Sequence, residues 1–362
     1  RLTFFSFMFD DVQRRSAPLS EAPACAGVAA PGAETQPPGR PQGRQQHDPN
    51  EILTIAILAG GNSAEAQVSR NSAAQIEQAL AESGHTTHVI ELDTTCAQAL
   101  LAVQPDVVFP ALHGPPGEDG TVQGMLEMLR LPYVGSDVRG SALAMDKAIA
   151  KSVFVRQGLP VSGDYLVHPG DDLSVAAEAI QAQLGARVAL KPLNQGSAIG
   201  VQLLRNGGDI AAALETAIKF GSCLVEPYIE GREMTVGVLQ LGSECLTHPV
   251  IEIRTPKDEW YDYEHRYTAG QSEHVIPAPI AAALSDRLQA IAVTAHQALG
   301  LRDLSRADFI VTDEDEIYLL EVNALPGMTP VSLYPEGAAA IGYSFQQLVN
   351  TLVAEAHLRG LN

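Results

Sequence analysis

From Glu51 onward the chain alternates short apolar runs with amphipathic stretches. ILTIAILA (52–59) is a β-branched run that ends at Gly60-Gly61. A helical pattern follows, carrying Val68, Ile76 and Leu80, with Gly84 as its stop. THVIEL (87–92) and DVVFPAL (106–112) repeat the strand pattern on either side of a helical stretch around 94–103. Strands alternating with helices predict parallel β-α units, hence a small open α/β domain ending near residue 140. SALAMDKAIAKSVFVRQG (141–158) predicts a helix, and strand–helix–strand material continues to about Glu226. Near the carboxyl end, LSRADFIVT (304–312) and EIYLLEVN (316–323) flank a tight acidic turn and predict a β-hairpin.

Composition narrows the class. With 362 residues, 46% hydrophobic content and mean hydropathy +0.03, the chain can bury cores for two or three domains. A net charge of −20 argues against a nucleic-acid or anionic-membrane partner, while leaving room for a local basic pocket. Cys25, Cys96, Cys223 and Cys245 are far apart and form no CxxC pair, so neither a disulfide scaffold nor a zinc site is indicated and a reducing compartment fits. No apolar stretch is long enough to span a bilayer. Residues 1–50 are rich in Pro, Gly, Ala and Gln and read as a disordered or non-native extension without a secretory pattern.

Candidate chemistry gathers at strand ends. GGNSAE (60–65) and LHGPPGEDG (112–120) fall at the carboxyl ends of predicted parallel strands, where ligands collect in open α/β sheets. Each also has a purely structural reading. Asn62 with Glu65 fits a capping box, His113 fits a hydrogen-bonded loop residue, and Glu118 with Asp119 fits the start of the next helix. In VALKPLNQGSAIGVQLL (188–204) a strand carries Lys191, a loop holds Gly196 and Ser197, and a second strand begins near Ile199. Such a turn can cover phosphates with backbone N–H groups and an ammonium, or it can be a plain hairpin. No GxxxxGK[ST] or strand-led GxGxxG occurs. In the final hairpin, Glu321 and Asn323 share a strand face, about 7 Å apart. Asp308 can join them from the neighbouring strand, giving three oxygen donors of the kind a hard cation takes, with Arg306 beside them for an anion. A structural Arg–Asp–Glu network is the alternative, but it leaves Asn323 and the Pro326-Gly327 turn without a purpose.

The span from about Ile52 to Leu358 resembles the D-alanine–D-alanine ligases of the ATP-grasp superfamily. The motifs that carry it come in the family's order: GGNSAEAQVS, LHGPPGEDGTVQGMLEMLRLPYVGSD, SALAMDK, LKPLNQGSAIGV, LVEPYIEGREMTVGV, YDYEHRYT, SRADF and EVNALPGMTPVSLYP. The resemblance implies a three-domain α/β (α+β) architecture. Its parts are an amino-terminal open parallel-sheet domain (51–140), a central ATP-grasp subdomain (141–228) and a carboxyl-terminal one with metal and substrate (229–362). Lys147 and Lys191 would contact ATP phosphates, with the loop of Gly196 and Ser197 closing over them. Glu226 and the backbone of Pro227, Tyr228 and Ile229 would hold adenine, and Glu233 the ribose. Asp308, Glu321 and Asn323 would bind two Mg²⁺ ions, with Mn²⁺ as a substitute. Glu65 would take the ammonium of the first D-alanine, helped by Ser197 and Tyr267, with His113 beside the substrates. Arg306 and the Gly327 N–H would form an oxyanion site, and Ser332 with the Leu333 backbone would receive the second carboxylate. A cytoplasmic homodimer making D-alanyl-D-alanine for peptidoglycan, and so for cell shape, is the implied whole. A ligase with a different second substrate and a non-catalytic nucleotide-binding paralogue are the alternatives. Gln67, Gln195, Ala198, Pro227 and Arg266 depart from the usual family residues, Arg266 standing where the ATP-site lid usually has lysine. Tyr267 resembles ligases that take D-alanine second.

Overall fold

β1 (Thr54–Ala59) is buried on both faces, because helices cover each side of its sheet. The computed structural model describes residues 51–196, 198–256 and 271–360. β1 lies between β2 (Thr86–Glu91) and β3 (Val107–Pro110), all parallel, as the strand–helix alternation predicted. Ile55 and Ile57 pack toward α1 (Ala66–Glu82), whereas Ala56 and Leu58 pack toward α2 (Cys96–Val103) and α3 (Thr121–Met128). Two half-cores on one strand explain why its sequence is an unbroken apolar run rather than an alternating one. Residues 1–50 lie outside the described residues.

Where one helix was expected over 141–158, there are two. α4 (Val138–Met145) stops at Asp146, whose ψ of 104° is extended, and α5 (Lys147–Arg156) starts immediately after. The Asp146 carboxylate accepts from the backbone N–H groups of Ala148 and Ile149 at 3.0 Å each, a side-chain cap that sets the break. Lys147 therefore sits at a helix start. A second, antiparallel sheet runs β4 (Tyr165–Val167), β7 (Cys223–Pro227), β5 (Val188–Pro192), β6 (Gln202–Leu204), backed by α6 (Leu173–Leu184) and α7 (Ile210–Ala217). β6 begins three residues later than Ile199. Ala198 (φ 60°) and Gly200 (φ 74°) turn the chain first, with Val201 N–H donating to the Ala198 carbonyl.

The third sheet is antiparallel: β11 (Glu273–Val275), β10 (Ile251–Arg254), β8 (Arg232–Leu241), β12 (Leu304–Val311), β13 (Ile317–Asn323), with β9 (Glu244–Thr247) on β8. β12 and β13 are the expected hairpin. α8 (Ala282–Leu299) covers one face of this sheet through Leu288, Ala292 and Ala295. After α9 (Leu333–Ala340), α10 (Phe345–Arg359) returns to the first sheet, where Leu348 and Leu352 pack with Ile57 and Leu80. Arg359 pairs with buried Asp303, which also accepts from the Gly135 N–H at 2.7 Å. That cluster ties the last helix to the start of β12. Among the described residues no helix is long and apolar enough to cross a membrane.

Candidate active site

The β12–β13 register places Arg306 opposite Asn323 and Asp308 opposite Glu321, with a bulge just after Asp308. Period-2 alternation puts all four on one face. Arg306 grips Asp308 side-on through two hydrogen bonds of 2.8 Å. Thr235, paired with Asp308 from β8, donates to its Oδ1 at 2.6 Å, and the Asn323 amide donates to Oδ2 at 3.1 Å. Glu321 faces the Lys147 ammonium at 3.3 Å. Among the described residues no three His, Cys, Asp or Glu side chains gather as a metal cluster. The third oxygen here belongs to an amide, and two carboxylates with one amide suit a hard cation such as Mg²⁺.

A cleft opens between the second and third sheets. Lys147 and Lys191 line it, with Gly196, Glu226 to Ile229, Glu233 and Glu321. Lys147 donates to the Gln195 carbonyl at 2.8 Å, so the helix start holds the glycine loop. Glu226 is buried among Lys191 (2.6 Å), Lys151 and the Ser162 hydroxyl (2.9 Å). Burial pushes its carboxyl up, but the two lysines outweigh that and hold it down at about 2. Burial likewise lowers Lys191, while Glu226, Glu321 and Glu233 raise it further, so it remains a cation. Proline at 227 has no N–H, and the Tyr228 N–H is committed to the Arg187 carbonyl at 2.8 Å. Of these backbone donors, Ile229 is left to meet a ligand edge.

A second cavity adjoins the first, and the two share Gly196 and Glu321. Glu65, His113, Arg306, Gly327, Ser332 and Leu333 line it. The two strand-end loops are tied by Ser69, whose hydroxyl donates to the Ala111 carbonyl (2.5 Å) and accepts from the Gly60 N–H (2.8 Å). Glu65 begins α1 without capping it by its side chain, so the capping-box reading fails. Its buried carboxylate instead meets the glycine loop: a Cβ at Gly196 would lie 2.9 Å from Glu65 Oε2. Asp119 does accept from the first N–H of α3, but Glu118 turns to His113 at 3.4 Å. Burial raises the Glu118 carboxyl, the nearby Glu65 charge adds to that, and His113 opposes it. In the turn before α9, the Ser332 hydroxyl lies 2.8 Å from that of Thr329, and its backbone N–H donates to the Thr329 carbonyl.

Most of the residues singled out from sequence thus surround two contiguous cavities. Ser197, Arg266 and Tyr267 lie outside the described residues. Sequence reasoning missed Lys151, Thr235 and the pairing of Glu118 with His113. Lys151 had a signal, since it lies four residues after Lys147 on one helix face. Thr235 had none, because its role depends on which strand pairs with β8.

Known proteins point the same way. The family model described as D-ala D-ala ligase C-terminus matches residues 153–354, and the one described as D-ala D-ala ligase N-terminus matches 94–136. A D-alanine–D-alanine ligase of Geotalea uraniireducens is 41% identical over 309 residues, 84% of this chain and 96% of the relative. One of Acidiphilium cryptum is 43% identical over 309 residues, 84% of this chain and 99% of the relative. The crystal structure of the Bacillus anthracis D-alanine–D-alanine ligase complexed with ATP superposes with TM-score 0.73 at 29% identity, covering 85% of this chain and 98% of that one. A D-Ala:D-Ser ligase from Enterococcus faecalis superposes with TM-score 0.73 at 30% identity, over 84% of this chain and 100% of that one.

Proposed function

The chain belongs to the D-alanine–D-alanine ligase family, and from that premise we propose how its own residues join two D-alanines at the expense of ATP. Its reaction is the ATP-dependent ligation of two D-alanines to D-alanyl-D-alanine, a step of peptidoglycan synthesis. The observation that carries the assignment of roles is the junction of the two cavities at Gly196 and Glu321, beside Lys147 and the Arg306–Asp308 pair. A nucleotide lying in the first cavity delivers its terminal phosphate there, and an amino acid lying in the second delivers its carboxylate.

Two anions must meet at that junction, so charge and position dominate the chemistry. Lys147 and Lys191 carry positive charge to the phosphates. Glu233 takes the ribose, and the Ile229 backbone with Glu226 meets the adenine edge. Glu65 holds the ammonium of the first D-alanine, with His113 and Glu118 packed behind it. The carboxylate of that D-alanine attacks the terminal phosphorus, ADP leaves, and an acyl phosphate forms. The amine of the second D-alanine, its carboxylate received by Ser332 and Leu333, then attacks the acyl carbon. Arg306 and the Gly327 N–H balance the tetrahedral oxyanion, which collapses with loss of phosphate. Asp308, Glu321 and the Asn323 amide oxygen would hold Mg²⁺, which when bound offsets the negative charge of the phosphates.

A three-part division follows the sheets: β1–β3 fall within 51–140, β4–β7 within 141–228, and β8–β13 within 229–362. A cytoplasmic homodimer completes the reading. The test is metal dependence, followed as phosphate release from ATP with D-alanine. Chelated enzyme is expected to be inactive and to recover with Mg²⁺ or Mn²⁺. Glu321→Gln should raise the half-saturating Mg²⁺ concentration about tenfold or more. Full turnover in excess chelator would remove the cation from this account.

A further inference from the structure

His274 belongs to no role assigned above, yet it lines the same cavity as Arg306, Ser332 and Leu333. It sits on the edge strand β11, opposite Ile253 of β10. Its Nδ1 lies 2.6 Å from Oε2 of Glu336, in the first turn of α9. A carboxylate only accepts, so Nδ1 carries the proton; Nε2 lies 3.5 Å from the Ser272 hydroxyl. The same helical turn also makes an apolar contact there, where Leu333 packs with Ile251 and Ile253 of β10 and with Ile276 just after β11. The start of α9 is therefore fixed to β10–β11 by one apolar and one polar contact. Glu336 also poses an electrostatic problem. It is an anion one turn from Ser332, where the reading above brings a substrate carboxylate, and like charges repel.

We propose that His274 is a positioning residue for the second D-alanine: it draws the Glu336 carboxylate to itself and fixes the turn that presents Ser332 and Leu333. This rests on the reading that those two residues receive the second carboxylate. His274 takes no part in forming the acyl phosphate, which involves the first D-alanine and ATP alone.

That separation supplies the test. Hydroxylamine intercepts an acyl phosphate as the hydroxamate without a carboxylate of its own, so it reports the first half-reaction independently of the second site. In His274→Leu, the KM for the second D-alanine should rise about tenfold, while ATP KM and the rate of D-alanine hydroxamate formation stay at wild-type values. His274→Gln, which keeps an N–H donor, should recover much of the loss. Adding Glu336→Gln to His274→Leu should do so too, because it removes the repelling charge. An unchanged dipeptide KM in His274→Leu, or an equal fall in hydroxamate and dipeptide formation, would overturn the proposal. Ser332→Ala is measured alongside. A raised second KM there with His274→Leu unchanged defeats the His274 role alone, whereas an unchanged Ser332→Ala defeats the carboxylate reading and the proposal with it.

Discussion

Glu226 sits between two ammonium groups and a serine hydroxyl, and its ionisation illustrates how a buried charge is kept. Its folded pKa of about 2 lies below the ordinary 4.5, so its contribution to stability is fully present above about 4.5 and is lost as pH falls toward 2. Glu226→Gln should therefore flatten the fall of the urea midpoint between pH 4.5 and 2 relative to wild type. At pH 7 the same variant should lose about 1–3 kcal/mol, because Lys151 and Lys191 are left without their anion. An unchanged acid slope would mean that the lysines do not hold this carboxylate in solution. At this scale much was legible in the sequence. Alternation along EIYLLEVN put Glu321 and Asn323 on one face, and the hairpin supplied Asp308. The contacts of Thr235, Lys151 and Ser162 were not, since each acts on a carboxylate 64 to 75 positions away and tertiary packing alone brings them together, although the spacing of Lys151 from Lys147 put both on one helix face.

Elements are held by side chains that periodicity does not single out. His248 is fully buried, its ring against Tyr334 of α9 at 4.6 Å, and both Gly237 on β8 and Gly337 on α9 lack the Cβ that would strike it. Neither of its ring nitrogens has a hydrogen-bond partner, and burial pulls its pKa down to about 3. His296 on α8 is held down at about 4 by burial, between Ser305 and Gln240. Between these values and the ordinary 6.5 the unfolded chain binds protons that the folded one excludes. Stability therefore rises with pH across that window, by up to about 1.4 kcal/mol per unit for each histidine. Denaturant midpoints between pH 4 and 6.5 should show the slope, and His248→Leu should reduce it by about half. An identical slope in that variant would rule His248 out as its source. Strand and helix identities were readable from apolar spacing in the first sheet and the final hairpin, but two boundaries elsewhere were not. Apolar residues on both sides of Asp146 mask the cap that divides 141–158, and the Ala198–Gly200 turn delays β6.

The whole molecule brings distant sequence to one place. Three sheets supply the two cavities: the first gives the loops of Glu65 and His113, the second gives Lys191 and Glu226, and the third gives Arg306, Glu321 and Asn323, with Asp308 bonded to Arg306 and Asn323. The order of family motifs announced this convergence. The return of α10 onto the first sheet was not legible, because an amphipathic helix does not name the surface it will cover. Nor was the Asp303–Arg359 tie, whose members are 56 positions apart. On the function proposed above, nucleotide and amino acid meet at Gly196 and Glu321, and they meet productively only for the D enantiomer. The most direct measurement is phosphate release from ATP and Mg²⁺ with D-alanine, with L-alanine or with neither, the product being identified by mass and chiral analysis. The account predicts release with D-alanine alone and D-alanyl-D-alanine as the product. Nucleotide binding without D-alanine-dependent release, or a dipeptide formed equally well from L-alanine, would contradict it.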